Sequence, residues 1–122
     1  MIAHTSIPVS DSQRSKAFYI EVLRPLGYSN NMEFGDAAGF NDGKNTDFWI
    51  GQKDTVVPAH LAFEAKSAEQ VKAFHKAALA AGGKDNGAPG YREYWPGYYA
   101  AFALDPDGHN IEAVWYDYSK VK

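Results

Sequence analysis

Four side chains suited to metal binding occur at matched places in the two halves of this sequence. His4 and His60 lie in strand-like segments that begin each half, and Asp47 and Glu112 lie in strand-like segments near the end of each half. Imidazole nitrogens and carboxylate oxygens are ligands that Zn, Ni, Mn and Fe(II) accept in proteins. The four residues therefore predict a divalent metal site, where the ion polarises a substrate oxygen and a carboxylate acts as base.

The match between the halves comes from an internal repeat. Residues 2–28 align without a gap with residues 58–84 at an offset of 56, with 7 identities in 27 columns. At an offset of 65, residues 42–47 align with residues 107–112, which pairs Asp47 with Glu112 and leaves nine extra residues in the second half. The identical pairs of the first alignment are Ala3/Ala59, His4/His60, Lys16/Lys72, Ala17/Ala73, Phe18/Phe74, Leu23/Leu79 and Gly27/Gly83.

Each half is predicted to fold as a βαβββ module, residues 1–54 and residues 57–122, within a single α+β domain. Alternating apolar residues predict strands over residues 2–9 and 60–65, and Ser10 and Ser67, each followed three residues later by Gln, predict the helix starts. Residues 87–97 are predicted to form a loop, and residues 105–108 a hairpin turn. The apolar face of each first strand must pack on its helix, so His4 and His60 are expected to point into a shared cup.

The two carboxylates are unequal candidates. Glu112 lies in a plainly apolar strand, where an unpaired carboxylate is costly to bury. Asp47 has a shorter side chain, and Trp49 crowds the same face, so Asp47 is either a ligand or a strand-start residue bonded to nearby backbone. For each histidine, the alternative to a metal ligand is a half-buried residue with a hydrogen-bond partner. His109 follows a turn and is expected to be solvated.

An aromatic segment in the second half predicts the substrate end of the site. Residues 90–99 contain five aromatic rings and one arginine. Such insertions often form a lip over a pocket, and the arginine can anchor a carboxylate or phosphate. A packed loop or a dimer contact is the alternative. The predicted substrate-binding residues are Arg92, Tyr94, Tyr98, Tyr99 and Trp49.

Composition narrows the class of protein. A length of 122 residues fits one compact domain, and a net charge of −3 argues against nucleic acid as a partner. No apolar run approaches the roughly 18–20 residues of a membrane span. With no cysteine, disulfides and thiolate ligands are excluded. We therefore expect a cytoplasmic protein that acts on a small molecule.

Two motifs resemble the vicinal oxygen chelate superfamily, which includes glyoxalase I, fosfomycin-resistance enzymes, bleomycin-resistance proteins and extradiol dioxygenases. The first is His4 with Phe-Tyr-x-x-Val-Leu-x-Pro-Leu-Gly-Tyr over residues 18–28, and the second is Asp-Pro-Asp-Gly-His-Asn-Ile-Glu over residues 105–112. The resemblance implies two paired βαβββ modules that form a cup-shaped mixed β-sheet with helices outside. It also implies a homodimer with the pocket at or near the interface.

The same resemblance implies a site but not a single chemistry. Its ligand positions fall on His4, Asp47, His60 and Glu112; since Asp replaces a Glu, the safer set is His4, His60 and Glu112. The leading expectation is a glyoxalase-like lyase or isomerase whose substrate chelates the metal through neighbouring oxygens, with Glu112 and Asp47 as catalytic carboxylates. Two alternatives stay open: a metal-free binding or bleomycin-resistance-like protein, and an Fe(II) extradiol-type dioxygenase.

Overall fold

A computed structural model describes residues 1–121 and contains eight strands and two α-helices in that range. The elements are β1 (Thr5–Val9), α1 (Ser12–Leu23), β2 (Ser29–Phe34), β3 (Ala37–Asn41), β4 (Thr46–Gln52), β5 (His60–Glu64), α2 (Ala68–Ala80), β6 (Lys84–Tyr91), β7 (Tyr98–Leu104) and β8 (Asn110–Tyr116), with short 3-10 turns at Arg24–Leu26 and Tyr118–Lys120. The predicted α+β fold of two βαβββ modules is confirmed. Neither helix in this range has the length and apolar character needed to cross a membrane.

Each module forms one four-stranded mixed sheet. The strand orders are β1-β4-β3-β2 and β5-β8-β7-β6, so the two modules have the same topology. The first strand of each module runs parallel to the last, and the remaining pairs are antiparallel. Each helix connects the first strand to the far edge of its sheet. The last strand therefore lies second in the sheet, directly beside the first strand and its histidine position.

The helix starts agree with the predicted capping chemistry in one module and differ in the other. Ser67 accepts a hydrogen bond from the backbone N–H of Gln70, as predicted. In the first module the cap is Asp11, which accepts from Arg14 N–H, rather than Ser10. Ser10 instead donates its hydroxyl hydrogen to Asp107 at 2.5 Å. The predicted Ser10 cap is wrong because that side chain joins the two modules.

One apolar core spans both modules. Phe48 of β4 meets Phe63 of β5 edge to face, with ring centroids 5.1 Å apart, and Tyr28 meets Phe63 at 5.7 Å. Helices α1 and α2 also pack against each other. Each sheet also has a face that points away from the helices, and functional side chains can lie on that face.

His109 joins the second module to the first and is fully buried. Its Nδ1 accepts from Ala59 N–H at 2.8 Å, so Nε2 carries the proton and donates to the Pro8 carbonyl at 2.7 Å. The expectation that His109 is solvated is wrong. Its carbonyl partner lies in the first strand of the other module, a contact that the sequence of the turn does not indicate.

Strand register corrects the second part of the repeat alignment. Thr5 is level with Phe48 in the first module, and Leu61 is level with Ile111 in the second. Leu61 is the counterpart of Thr5 at the offset of 56, so Ile111 is the counterpart of Phe48 at an offset of 63. Both are buried against the helix layer, which fixes the register. The offset of 65 is wrong for these strands.

The corrected register changes which residues are equivalent in the two modules. Glu112 corresponds to Trp49, and Asp47 corresponds to Asn110. The two turn sequences before these strands are alike, but the strands that follow them pair two residues apart. The first module therefore has no carboxylate at the position equivalent to Glu112.

The segment predicted as a loop is in part a strand. Residues 87–91 belong to β6, which pairs with β7 through an irregular register, Gly87 with Phe102 and Gly90 with Ala100. The glycines and Pro89 hid the strand because strands normally contain few of either. Where the register is irregular, Gly87 and Gly90 lie against the Arg92 side chain.

Candidate functional site

His60 and Glu112 form the centre of the candidate site. His60 begins β5, and Glu112 lies on the adjacent strand β8 with its side chain on the same sheet face, away from α2. His60 Nε2 lies 2.8 Å from Glu112 Oε1. Glu112 is 2% exposed, whereas the His60 side chain is 54% exposed. A buried carboxylate thus meets an imidazole that is open to whatever approaches the sheet.

Tyr98 completes the surroundings of the carboxylate. Its hydroxyl donates to Glu112 Oε2, so both carboxylate oxygens have partners in the chain. Burial and, after it, the hydrogen bond to Glu112 raise the pKa of the Tyr98 hydroxyl, which therefore keeps its proton at neutral pH. Tyr94 and Tyr116 pack edge-on against Tyr98, with centroids 5.0 and 5.7 Å away. One end of the site is therefore an aromatic wall.

The opposite end of the same face contains a cation. Phe102 on β7 is level with Glu112, and its ring centroid lies 6.1 Å from that of His60. The Arg92 guanidinium carbon lies 5.5 Å from the Phe102 ring centroid. A line across the sheet from β5 to β6 therefore passes from imidazole to carboxylate, to aromatic ring, to guanidinium.

His4 lies apart from this cluster. His109 bonds both to the Pro8 carbonyl and to the backbone of Ala59, the residue before His60. The C-terminal end of β1 is therefore the end nearest His60. His4 precedes Pro8 by four residues, roughly 13 Å along an extended strand. It is exposed and lies just before β1 rather than within it. The structure does not bring His4 and His60 of one chain together.

Asp47 also lies apart and has its own partner. Tyr28 donates to Asp47 Oδ2 at 3.2 Å, while Oδ1 is buried with no hydrogen-bond partner in the chain as described. Burial raises the pKa of the Asp47 carboxyl above its usual range. The side chain lines an open cavity of about 760 Å³, together with residues at the end of β5 such as Glu64.

Three of the predicted substrate-binding residues occupy different environments. Tyr94 is exposed beside Tyr98, at the rim of the aromatic wall. Trp49 lies on the sheet of the first module, stacked on Phe34 at 5.9 Å. Tyr99 is buried in the core, and its assignment to the substrate stays a prediction. It alternates with Tyr98 along β7, and adjacent strand residues face opposite sides of a sheet.

Within residues 1–121, no three His, Cys, Asp or Glu side chains come close enough to hold a metal ion. Neither of two cavities, of about 400 and 760 Å³, is lined by His60 or Glu112, and Arg92 lines the smaller one. His60 is instead exposed on the sheet face, and Glu112 is buried beside it. One chain thus supplies two adjacent donors and leaves the space above them uncovered.

The donor pair suits a divalent ion. Ligand atoms at about 2.0–2.2 Å from one ion lie roughly 3.0–3.5 Å from each other. His60 Nε2 and Glu112 Oε1 are 2.8 Å apart, as a hydrogen bond requires, so a small separation would let both atoms bind one ion. Tyr98 keeps a hydrogen bond on the second carboxylate oxygen, as an outer partner of a ligand would.

Sequence reasoning missed Phe102 and the two glycines of β6. Phe102 reads as an ordinary apolar strand residue, and only its register opposite Glu112 places it in the site. The sequence predicts Gly87 and Gly90 to be loop residues. Arg92 follows Gly90 by only two residues, but this spacing does not indicate that the arginine side chain packs on the glycine. That contact is visible only in the structure.

Comparisons with known proteins agree with this architecture. A family model described as Glyoxalase/Bleomycin resistance protein/Dioxygenase superfamily matches residues 1–113. A crystal structure of a glyoxalase/bleomycin resistance protein from Albidiferax ferrireducens T118 is 30% identical, with a TM-score of 0.81, and the match covers 93% of this chain and 96% of that one. A search of curated proteins gave no match.

Two further solved structures share the fold at lower identity. A glyoxalase/bleomycin resistance protein/dioxygenase family enzyme from Burkholderia phytofirmans PsJN is 19% identical, with a TM-score of 0.74 and coverage of 94% and 98%. A lactoylglutathione lyase from Agrobacterium tumefaciens is 18% identical, with a TM-score of 0.72 and coverage of 94% and 92%. On the family match and the 30% identical structure, this chain belongs to the Glyoxalase/Bleomycin resistance protein/Dioxygenase superfamily.

Proposed function

We propose that this chain is a homodimeric metal-dependent enzyme of the glyoxalase kind, acting on a small substrate that chelates the metal through neighbouring oxygens. His60 and Glu112 of one copy and His4 of a second copy would hold the ion. The observation that carries the proposal is the 2.8 Å approach of the exposed His60 imidazole to the buried carboxylate of Glu112. Bound there, a divalent ion would supply a Lewis acid for the substrate oxygen.

A second copy is proposed because the first module also has an uncovered face. Phe34 is 65% exposed and stacks on Trp49, and Ile2 is 83% exposed beside His4. Exposed apolar surface of this kind marks interaction sites in soluble proteins. If this face covers the second module of another copy, His4 and Trp49 reach the His60–Glu112 pair, and water is excluded from the site.

The chain's own residues would then divide the work. Tyr98 donates a hydrogen bond to one oxygen of Glu112 and stays protonated, so it would orient the carboxylate. Tyr94 and Trp49 would line the aromatic end, and Arg92 the opposite one. Asp47, whose raised pKa and unpaired oxygen set it apart, would act as a proton acceptor only if the second copy brings it to the site.

Mixing two variants tests whether the site is shared. His4→Ala and His60→Ala should each lose the metal as pure homodimers. In a mixed dimer, one of the two sites would lose both histidines and the other would be intact. The mixed dimer should therefore contain about half the wild-type metal, and an equal mixture after full exchange about a quarter. If both histidines serve within one chain, mixing restores nothing. With one of the two variants labelled with ¹⁵N, native mass spectrometry resolves the mixed dimer by mass and serves as the control for subunit exchange.

The reaction class needs a separate assay. Conversion of methylglyoxal-type hemithioacetals, with loss of activity in Glu112→Gln, would support the lyase or isomerase. Bound iron together with ring cleavage of a catechol would support the dioxygenase instead. Inactivity toward thiol adducts in protein that retains its metal would remove the glyoxalase reaction and leave the metal site standing.

One observation favours a second candidate, a metal-free binding protein. Both oxygens of Glu112 already have donors, His60 and Tyr98, so the buried carboxylate needs no ion to be satisfied. An aromatic wall and an open face would then hold a ligand by stacking and hydrogen bonds. Binding of an aromatic or cationic ligand by protein that takes up no added divalent ion would establish this candidate.

A further inference from the structure

Arg92 is held in a fixed position on the sheet face that carries His60 and Glu112. Its Nη1 donates to the Gly90 carbonyl at 3.0 Å and its Nη2 to the Ala88 carbonyl at 2.7 Å. The guanidinium also lies against the Phe102 ring. A long side chain that would otherwise sample many rotamers is thereby fixed in one place.

Two glycines make the room for this arrangement. A Cβ on Gly87 would come within 3.2 Å of Arg92 Nη2 and 2.9 Å of the Phe102 ring, and a Cβ on Gly90 within 3.2 Å of Arg92 Nη1. Gly87 pairs with Phe102 across β6 and β7, so the guanidinium lies on the face shared with Glu112. The glycines of β6 form a cradle that lays the arginine flat on the sheet.

The charge of Arg92 is not neutralised within the described chain. None of the ion pairs among residues 1–121 includes it, and its two bonds go to uncharged carbonyls. A guanidinium has five N–H donors, so three remain for a ligand. A fixed, unpaired cation with free donors beside an aromatic ring is suited to bind a carboxylate or a phosphate.

We propose that Arg92 selects substrates that carry a second, anionic group at the end remote from the oxygens bound at His60 and Glu112. β6 and β8 are two strands apart, roughly 10 Å. Contacts of about 3 Å at the guanidinium and about 2 Å at each side of a metal leave room for a short carbon chain. The substrate class is therefore a small oxygenated acid with a terminal carboxylate or phosphate, its chain lying over Phe102. The inference rests on the proposed function for the identity of the other end.

Three probe acids that differ only at the remote end test the proposal. 2-Hydroxyglutarate has a terminal carboxylate, 3-phosphoglycerate a terminal phosphate, and 2-hydroxypentanoate an uncharged methyl. Dissociation constants are measured by titration calorimetry on untagged protein with its metal. At least one anionic acid should bind tenfold or more tightly than the neutral acid, and the tighter of the two identifies which anion the site takes. Equal affinity for all three, or no binding of either anionic acid, would overturn the proposal.

Two variants assign the preference to Arg92. Arg92→Gln should bring the anionic and neutral acids within about threefold of each other. Gly90→Ala should weaken the preference while leaving the charge in the chain, since the added methyl meets only the guanidinium and Gly90 has no positive φ. Arg24→Gln, at an exposed arginine paired with Glu21, is the matched control and should bind like wild type. Retention of the full preference in Arg92→Gln would refute the assignment.

The same titrations separate this inference from the proposed function. Protein stripped of metal by a chelator and retested should keep the anionic preference if Arg92 alone recognises the remote group. A preference in protein that never takes up metal would leave Arg92 assigned and remove the metal enzyme. Bound metal without any preference for anionic acids would leave the metal enzyme standing and remove the assignment of Arg92.

Discussion

The bond from Tyr98 to Glu112 should make a measurable contribution to stability. Tyr98→Phe removes the hydroxyl that donates to a carboxylate whose side chain is 2% exposed. Hydrogen bonds to charged groups contribute about 1.5–3 kcal/mol, and no bulk water is at hand to replace the donor. The variant keeps the ring and its edge-on contacts with Tyr94 and Tyr116. We therefore expect the free energy of unfolding to fall by about 2 kcal/mol.

Urea unfolding followed by tryptophan fluorescence and by circular dichroism measures this loss. For a chain of this size, about 2 kcal/mol lowers Tm by roughly 6–10 °C. Tyr94→Phe is the matched control, because Tyr94 is exposed and its ring packs against the same neighbour. Surface changes of that kind stay within about 0.5 kcal/mol. If Tyr98→Phe is as stable as Tyr94→Phe, the carboxylate does not depend on the tyrosine, and the account of how Glu112 is held is refuted.

Three further changes probe the parts of the fold that support the site. His109→Ala leaves the Ala59 N–H and the Pro8 carbonyl without their hydrogen-bond partner. Unfolding experiments should therefore show that the free energy of unfolding falls by about 3 kcal/mol or more. Asp47→Asn should stabilise the protein at pH 7 and not at pH 3. Burial raises the pKa of the Asp47 carboxyl, so the folded protein loses stability as the pH rises through that pKa and the group becomes charged. Equal stability of both proteins at pH 7 would contradict this. Gly97→Ala should lower the free energy of unfolding by more than about 2 kcal/mol, because Gly97 has φ +84° and a Cβ would lie 2.1 Å from a backbone oxygen. The control is Gly51→Ala, which should be neutral because a Cβ there meets nothing within 4 Å. Similar melting temperatures of the two variants would be the contrary result.

Local sequence signals predicted the local structure well. Alternation of apolar residues placed His60 and Glu112 on the face away from the helices, and the structure brings those two side chains together. The capping residue Ser67 started its helix as expected. These features depend on residues a few positions apart, which propensity and periodicity describe.

Features that depend on distant contacts were not predictable. His109 is buried and donates a hydrogen bond to a carbonyl 101 residues away, and no local pattern indicates that partner. The correspondence of Glu112 with Trp49 follows from strand register rather than from the similar turns. Residues 87–91 form a strand whose glycines accommodate Arg92, a use of glycine that reads in sequence as a loop.

The position of His4 shows a different limit. Face parity placed His4 and His60 on equivalent sides of equivalent strands, which the shared topology supports. Parity does not say whether the two faces meet within one chain. The modules pack through Phe48, Phe63 and the helices, an arrangement that leaves His4 away from His60, and the proposed shared site therefore needs a second copy.

Metal content of untagged protein tests the central claim most directly. Elemental analysis by mass spectrometry, after gel filtration and with the molar mass measured in parallel, should find about one divalent ion per chain in a dimer. The ion should be lost in both His60→Ala and His4→Ala and kept in His75→Ala, whose imidazole binds Asp85 away from the site. Protein that contains no metal, and takes up none when Zn, Ni, Mn or Fe(II) is added, would contradict the account.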